Sequence, residues 1–244
     1  ACIIFLCKIL KLLLFYVIIK QIQNKEIIMI KNNNILSTTL IISSYLLITL
    51  AIILLIPLFL SFIFQESRII KYSFFLPSFF SLILGIIIKI YFKSHKLNLN
   101  IFNSMIAVTS AWLISSFIGS LPFKIALNKS FIDSFFEAVS GFTTTGITVF
   151  QNLEYMPKSI IFWRSMIQWL GGLGILTFFL LITFRSESNH WQLFSAESHK
   201  INSSRPVPNI YNTITILWGI YSLFTILEII LLVIFQMPLF DAII

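Results

Sequence analysis

Apolar residues fall in long, nearly unbroken runs along this chain, and short polar or charged clusters separate one run from the next. An α-helix crosses the ~30 Å hydrocarbon core of a bilayer with about 20 such residues. Five runs are long enough: Leu40 to Phe64, Phe74 to Phe92, Ile101 to Leu121, Ile160 to Phe184 and Ile214 to Phe235. Each predicts a transmembrane helix. A sixth stretch, Cys2 to Ile19, holds Lys8 and Lys11 within it, and ammonium groups facing lipid are costly, so it is not taken as a span.

The interval between the third and fourth runs, Pro122 to Pro157, is too polar to span, yet it contains a short apolar helix pattern from Phe131 to Val139. Ser130 with Asp133 three residues on has the spacing of an N-terminal capping box, and Gly141 is a natural stop. About ten residues rise ~15 Å, half the hydrocarbon core. The run that follows, Gly141-Phe142-Thr143-Thr144-Thr145-Gly146-Ile147-Thr148, cannot leave its backbone polar groups facing lipid, so it must be buried in protein or line water. A half-helix ending there aims the negative pole of its dipole at that space, which favours a cation.

Gly146 can take a positive φ at little cost and let neighbouring carbonyls turn toward an axis, where carbonyl oxygens replace a potassium ion's hydration shell. On that reading the carbonyls of Thr144 and Thr145 are the K+ ligands, Gly146 permits the geometry, and the threonine hydroxyls lie behind the backbone. Thr143-Thr144-Thr145-Gly146 alone read more readily as a polar extracellular turn after an interfacial helix; their context decides.

Composition agrees with the pattern. Of 244 residues, 58% are hydrophobic and 11% charged, too few charges to cover a water-soluble surface of this size. Mean hydropathy is +0.96. The formal net charge of +8 does not imply a nucleic-acid partner, because the basic residues sit in short loops between apolar runs. A cytoplasmic N-terminus places Lys25, Lys31, Lys89, Lys93, Lys96, Arg185, Lys200 and Arg205 inside, against Arg68, Lys71, Lys124, Lys129 and Lys158 outside. Met29 reads as the start, which makes residues 1–28 an upstream or non-native leader; Cys2 and Cys7 both lie there, so no disulfide framework is expected. His95, His190 and His199 have no second ligand at metal spacing, so no metal other than K+ and no organic cofactor is expected.

The segment Phe135-Phe136-Glu137-Ala138-Val139-Ser140-Gly141-Phe142-Thr143-Thr144-Thr145-Gly146-Ile147-Thr148 resembles the first pore loop of the Trk/Ktr potassium transporter family (the TrkH family). Pro157-Lys158-Ser159, Phe162-Trp163-Arg164-Ser165 and Gln168-Trp169-Leu170-Gly171-Gly172-Leu173-Gly174 resemble the helix that follows it. Leu217-Trp218-Gly219-Ile220-Tyr221, Leu227-Glu228 and Met237-Pro238-Leu239-Phe240-Asp241-Ala242-Ile243 resemble the next repeat's first helix and the approach to its loop.

The resemblance implies two leading helices and then helix, pore-loop, helix repeats, four in the family, around one pathway. The expected fold is therefore all-α integral membrane, with five transmembrane helices and one re-entrant pore helix with its filter loop. The expected organisation is 29–97 the leading pair, 98–185 the first repeat, 186–211 a cytoplasmic linker and 212–244 the start of a second repeat.

As the N-terminal portion of such a subunit, the chain is expected in the plasma membrane (the bacterial inner membrane), taking up potassium and supplying one quarter of a carbonyl filter. Missing repeats or further copies would complete it, and the family implies a cytoplasmic nucleotide-binding regulatory partner, for which Arg185 to Tyr211 is the docking surface. A truncated, non-conducting assembly fragment is the alternative. A membrane-embedded enzyme using Asp133, Glu137 or a histidine is the distant one, and the sequence has no His-Glu-x-x-His, Gly-x-Ser-x-Gly or phosphate-binding glycine loop to support it.

Thr143, Ile147, Arg164 and Glu137 are the expected supports of the filter. Arg164 either braces the loop, through Glu137, Asp133 or carbonyls behind it, or snorkels to the interface. Gly171, Gly172 and Gly174 read as close helix packing beside the pore before direct ion contact. Glu228 is expected to face a helix partner or cavity. A faint internal duplication pairs Pro122 and Asp133 with Pro238 and Asp241.

Overall fold

Lipid is as apolar as leucine, so membrane helices gain little by burying large aliphatic side chains and are held by close approach through small ones. The chain is arranged that way. The computed structural model describes residues 33–92, 101–174 and 210–244, and every regular element among them is helical. These are α1 (Asn33–Ile63), α2 (Arg68–Tyr91), α3 (Ile101–Leu127), the short α4 (Phe131–Phe142), a 3-10 turn (Leu153–Tyr155), α5 (158–174), α6 (Ile210–Ile234) and α7 (Leu239–Ile243).

Among the described residues four helices are long and apolar enough to cross a membrane: Ile35–Ile63, Arg68–Tyr91, Phe102–Leu127 and Ile214–Ile234. The chain is an all-α integral membrane protein. Of the expected span Ile160 to Phe184, the described part lies in α5 and residues 175–184 lie outside the described residues. The leader with Cys2 and Cys7, the three histidines and most of the expected linker also lie outside them; Ile210 and Tyr211 already belong to α6.

Small polar residues fill the interior. Ser44, Ser61, Ser73, Ser78, Ser81 and Ser120 are buried, whereas Phe59, Phe62, Phe75, Phe79 and Phe80 are exposed. Within its own helix each of four serine hydroxyls donates to a carbonyl three residues back, Ser44 to Ile41 and Ser73 to Ile70 at 2.7 Å among them. Ser78 instead donates across to the Ala51 carbonyl at 2.7 Å, and at Gly85 an added Cβ would come within 2.9 Å of the Ser44 carbonyl, so α1 and α2 touch backbone to backbone.

Several boundaries differ from the apolar runs. α1 starts at Asn33, seven residues before Leu40, and α2 at Arg68 rather than Phe74, because Arg68 and Lys71 can occupy its first turn at the end of the bundle, with the Lys71 ammonium 4.7 Å over the Phe62 ring. α3 does not stop at Leu121 but runs through the buried Pro122 to Leu127. Proline has no N–H for the Ile118 carbonyl and its ring crowds that turn. One residue on, the Gly119 carbonyl accepts from Trp163 Nε1 at 3.0 Å, so α5 supplies a donor where the helix is disturbed.

α1, α2 and α3 pack together, and α5 closes the group at one end. Glu66, in the turn between α1 and α2, accepts from the Ser159 N–H at 3.1 Å and from the Ser159 hydroxyl. That carboxylate satisfies an orphan donor at the N-terminus of α5, where the helix dipole favours negative charge. Lys158 lies over Phe64 and Phe240, 4.8 and 5.1 Å to their centroids, which brings the end of α1, the start of α5 and the start of α7 together. The core beneath holds Trp163 edge-on to Phe74 at 6.5 Å, with Phe123 edge-on to Phe150 at 5.6 Å.

Candidate functional site

The short helix α4 is amphipathic: Ser134, Glu137, Ala138 and Gly141, at helical spacing, are buried. Its N-terminus is capped as the sequence indicates, Ser130 Oγ accepting from the Asp133 N–H at 3.1 Å. Its end differs from expectation. The helix passes through Gly141 to Phe142, because Gly141 is there for packing: a Cβ on it would lie 2.5 Å from Ile167 Cδ1.

The stop is at Thr144. Its N–H donates to the Gly141 carbonyl and that of Thr145 to the Ser140 carbonyl, both at 2.9 Å, the paired bonds of a Schellman motif. That motif places its αL residue at position 144, where threonine holds φ +54° in a role usually filled by glycine. Gln65 and Gln236 end α1 and α6 through the same bonding pattern at φ +51° and +67°.

These hydrogen bonds orient the loop. In a trans peptide the N–H and C=O point in opposite directions. The N–H groups of Thr145 and Gly146 both point back to the Ser140 carbonyl, at 2.9 and 3.4 Å, so the carbonyls of Thr144 and Thr145 point away from α4. Gly146 follows at φ +73°. Left-handed φ at residues 144 and 146, with Thr145 between them, breaks the alternation of carbonyls that an extended strand would have.

Thr143, Ile147, Glu137 and Arg164 all take part in hydrogen bonds at this loop. Thr143 Oγ1 donates to the Val139 carbonyl at 2.8 Å and lies 2.8 Å from Thr145 Oγ1. The Ile147 carbonyl accepts from Ser140 Oγ at 2.5 Å. Glu137, only 2% exposed, accepts from Arg164 Nε at 2.6 Å, from Thr148 Oγ1 at 2.9 Å and from the Val149 N–H at 3.2 Å. Arg164 also reaches the Gly146 carbonyl with Nη2, at 3.5 Å.

Of the partners considered for Arg164, Glu137 and a loop carbonyl are therefore the ones in contact, and Asp133 sits instead in the first turn of α4. The Thr144 hydroxyl is not behind the backbone; it donates to the Thr143 carbonyl at 2.7 Å on an exposed residue.

Sequence reasoning missed Ser140, Thr148 and Glu66. The signal for the first two was present: a buried Glu137 and a left-handed loop both need donors nearby, and these are the hydroxyls flanking the loop. For Glu66, 93 residues from its partner Ser159, nothing local gives the contact.

The glycines of α5 form the wall beside the loop. A Cβ on Gly171 would strike the Phe142 carbonyl oxygen at 2.1 Å and its carbon at 2.7 Å, so α5 lies directly against the last turn of α4. At Gly172 the neighbours are Tyr221 Oη at 2.9 Å and Thr144 Cγ2 at 3.9 Å, and at Gly174 the Trp112 ring at 3.5 Å. Before the loop Phe142 lies against Gly171, and after it Phe150 packs on Phe123. In α7, Asp241 has the place of Asp133, three residues after the cap residue, but its cap residue is Pro238 where α4 has Ser130. The duplication thus aligns the aspartates; Pro122 lies within α3 and has no counterpart in Pro238.

A bundle of long apolar helices carrying a short helix and a polar loop is the architecture of an all-α multi-pass membrane protein. A family model described as TrkH, cation transport protein, matches residues 70–242. The chain belongs to that family of multi-pass transporters of the cell membrane, which is not an enzyme class.

It is 37% identical over 195 residues to an uncharacterized cation transporter of Methanocaldococcus jannaschii, a match covering 79% of this chain and 40% of that protein. To the Trk system potassium uptake protein TrkH of Vibrio parahaemolyticus it is 37% identical over 137 residues, 55% of this chain and 28% of the relative. The TrkH of Escherichia coli K12 gives 36% over 135 residues, 54% of this chain and 28% of the relative. The chain thus spans well under half the length of each of these relatives.

Proposed function

We propose that the chain takes part in potassium uptake and that residues 143–147 form one re-entrant loop of a potassium-selective filter. The observation that carries this reading is the orientation of two peptide units: the N–H groups of Thr145 and Gly146 are spent on Ser140, which turns the carbonyls of Thr144 and Thr145 outward. A loop whose donors face its own helix and whose acceptors face away suits a cation and repels an anion. The negative end of α4 behind it acts in the same sense.

Thr144 and Thr145 then supply carbonyl ligands to K+, and Gly146 permits the geometry. Thr143, Ile147, Glu137 and Arg164 hold the loop. Ions move by shedding water onto carbonyls and stepping between sites, with no covalent chemistry. One loop cannot surround an ion, so three further loops, from further repeats or further copies, complete the ring. The names of the Vibrio parahaemolyticus and Escherichia coli relatives, potassium uptake proteins of a Trk system, support potassium as the ion. A cytoplasmic nucleotide-binding subunit docking on residues 185–211 remains the partner implied by the resemblance.

The test is an ordering. Among the described residues a Cβ on Gly146 would meet only Gln168 Nε2, at 3.4 Å, so serine is opposed there chiefly by φ +73°. In the full-length protein at matched membrane abundance, Gly146→Ser is expected to lower potassium over sodium selectivity more than Thr145→Val, which keeps the backbone carbonyl and loses the hydroxyl contact to Thr143. Unchanged selectivity in Gly146→Ser would remove the filter reading.

A further inference from the structure

Phenol and indole side chains carry one polar handle on a large apolar body, and inside a membrane that handle needs a protein partner. At the seam between α5 and α6 each finds one. Trp169 Nε1 donates to Thr225 Oγ1 at 3.1 Å, and the Trp169 carbonyl accepts from the Tyr221 hydroxyl at 3.3 Å. The Thr225 hydroxyl donates to the Tyr221 carbonyl at 3.0 Å. The Trp169 ring lies 5.4 Å from that of Tyr221 and 6.0 Å edge-on to that of Trp218. Elsewhere α6 exposes Ile216, Leu223, Phe224, Ile226 and Ile230.

This seam lies directly behind the loop. Gly172 sits between Tyr221 and Thr144: an added Cβ would be 2.9 Å from the Tyr221 hydroxyl and 3.9 Å from Thr144 Cγ2. Thr144 is the residue held at φ +54°, whose carbonyl points away from α4. We infer that Tyr221 is a positioning residue for that carbonyl: its hydroxyl, bonded to the Trp169 carbonyl, fixes α6 on α5 beside Gly172, the residue of α5 that faces Thr144, and so sets where the turn of the loop lies. A Cβ at Gly172 would crowd the Tyr221 hydroxyl, and glycine leaves that space to it. α6 is thereby coupled to the loop of the preceding helix pair, and a displacement of α6 along α5 would be felt at Thr144.

The inference rests on the filter reading, and the experiment separates the two. The ratio of potassium to sodium uptake and the thermal unfolding temperature are measured for the full-length protein carrying Gly172→Ala, Tyr221→Phe, both together, or Gly146→Ser. The methyl of Gly172→Ala would crowd the Tyr221 hydroxyl at 2.9 Å and shift it against its 3.3 Å bond to Trp169, so the ratio is expected to fall about threefold to tenfold, the scale of one interhelical hydrogen bond. Tyr221→Phe is expected to lower it less.

The pair is expected to match Tyr221→Phe alone, because the hydroxyl that the methyl strikes is gone and the ring carbon behind it is 3.7 Å away. A pair no better than Gly172→Ala overturns the inference, as do single variants that shift the unfolding temperature and leave the ratio untouched. If Gly146→Ser changes the ratio and the other variants do not, the role of Tyr221 fails and the filter reading stands. If Gly146→Ser has no effect either, the filter reading fails and takes this inference with it.

Discussion

Thr144 is a β-branched residue at φ +54°, a conformation that costs about 1–2 kcal/mol in any residue with a Cβ. It is held by the Schellman pair from Thr144 to Gly141 and from Thr145 to Ser140, and Glu137 braces the limb that follows. That carboxylate ties three separate points together: Arg164 on α5, and Thr148 and Val149 on the returning limb of the loop. Glu137→Gln keeps acceptors for Thr148 and Val149 and leaves the guanidinium without a counter-charge, while Glu137→Ala loses all three contacts.

The alanine variant is expected to lose about 3–5 kcal/mol, the usual scale for breaking a buried pair. Glutamine is expected to lose less, because the Arg164 side chain is 21% exposed and water takes up part of its charge. Thermal unfolding in detergent checks this. Two variants as stable as the parent would show that the brace does not hold the loop.

The elements were legible wherever one physical rule dominated. Apolar run length located the spans, and Ser130 with Asp133 located the start of α4, because capping is a local bond between near neighbours. The ends were harder. The rule that glycine stops a helix pointed to Gly141, which serves packing against Ile167, and missed Gln65, Thr144 and Gln236, non-glycine residues in the left-handed region. Pro122 read as the end of α3, yet the helix runs on to Leu127, and the Gly119 carbonyl beside the disturbed turn accepts from Trp163, 44 residues further along the chain.

Among the α5 glycines the geometry ranks substitutions that sequence alone could not. Alanine adds the same helix propensity at either site, so the difference between two positions reports packing. Gly171→Ala meets the Phe142 backbone at 2.1 Å and is expected to cost about 1–3 kcal/mol or more. Gly174→Ala, whose nearest neighbour among the described residues is the Trp112 ring at 3.5 Å, is expected to be neutral or slightly stabilising. Equal unfolding temperatures for the two would contradict the close approach of α5 to α4.

At the scale of the molecule, three elements converge at the N-terminal end of α5: the Glu66 turn, the start of α5 at Lys158 and the ring of Phe240 in α7. That convergence was not legible, since it rests on contacts between residues far apart in sequence. The family was, because its motif lies in one continuous segment from Phe135 to Thr148, and the match to residues 70–242 contains that segment.

What the loop does is the central claim, and it is tested most directly by locating the ion. Thallium replaces potassium at carbonyl sites and scatters anomalously, so crystals of the full-length protein grown with thallium would mark each bound cation. A peak at contact distance from the carbonyl oxygens of Thr144 and Thr145 is the predicted result. Thallium peaks elsewhere on the pathway with none at this loop would contradict it.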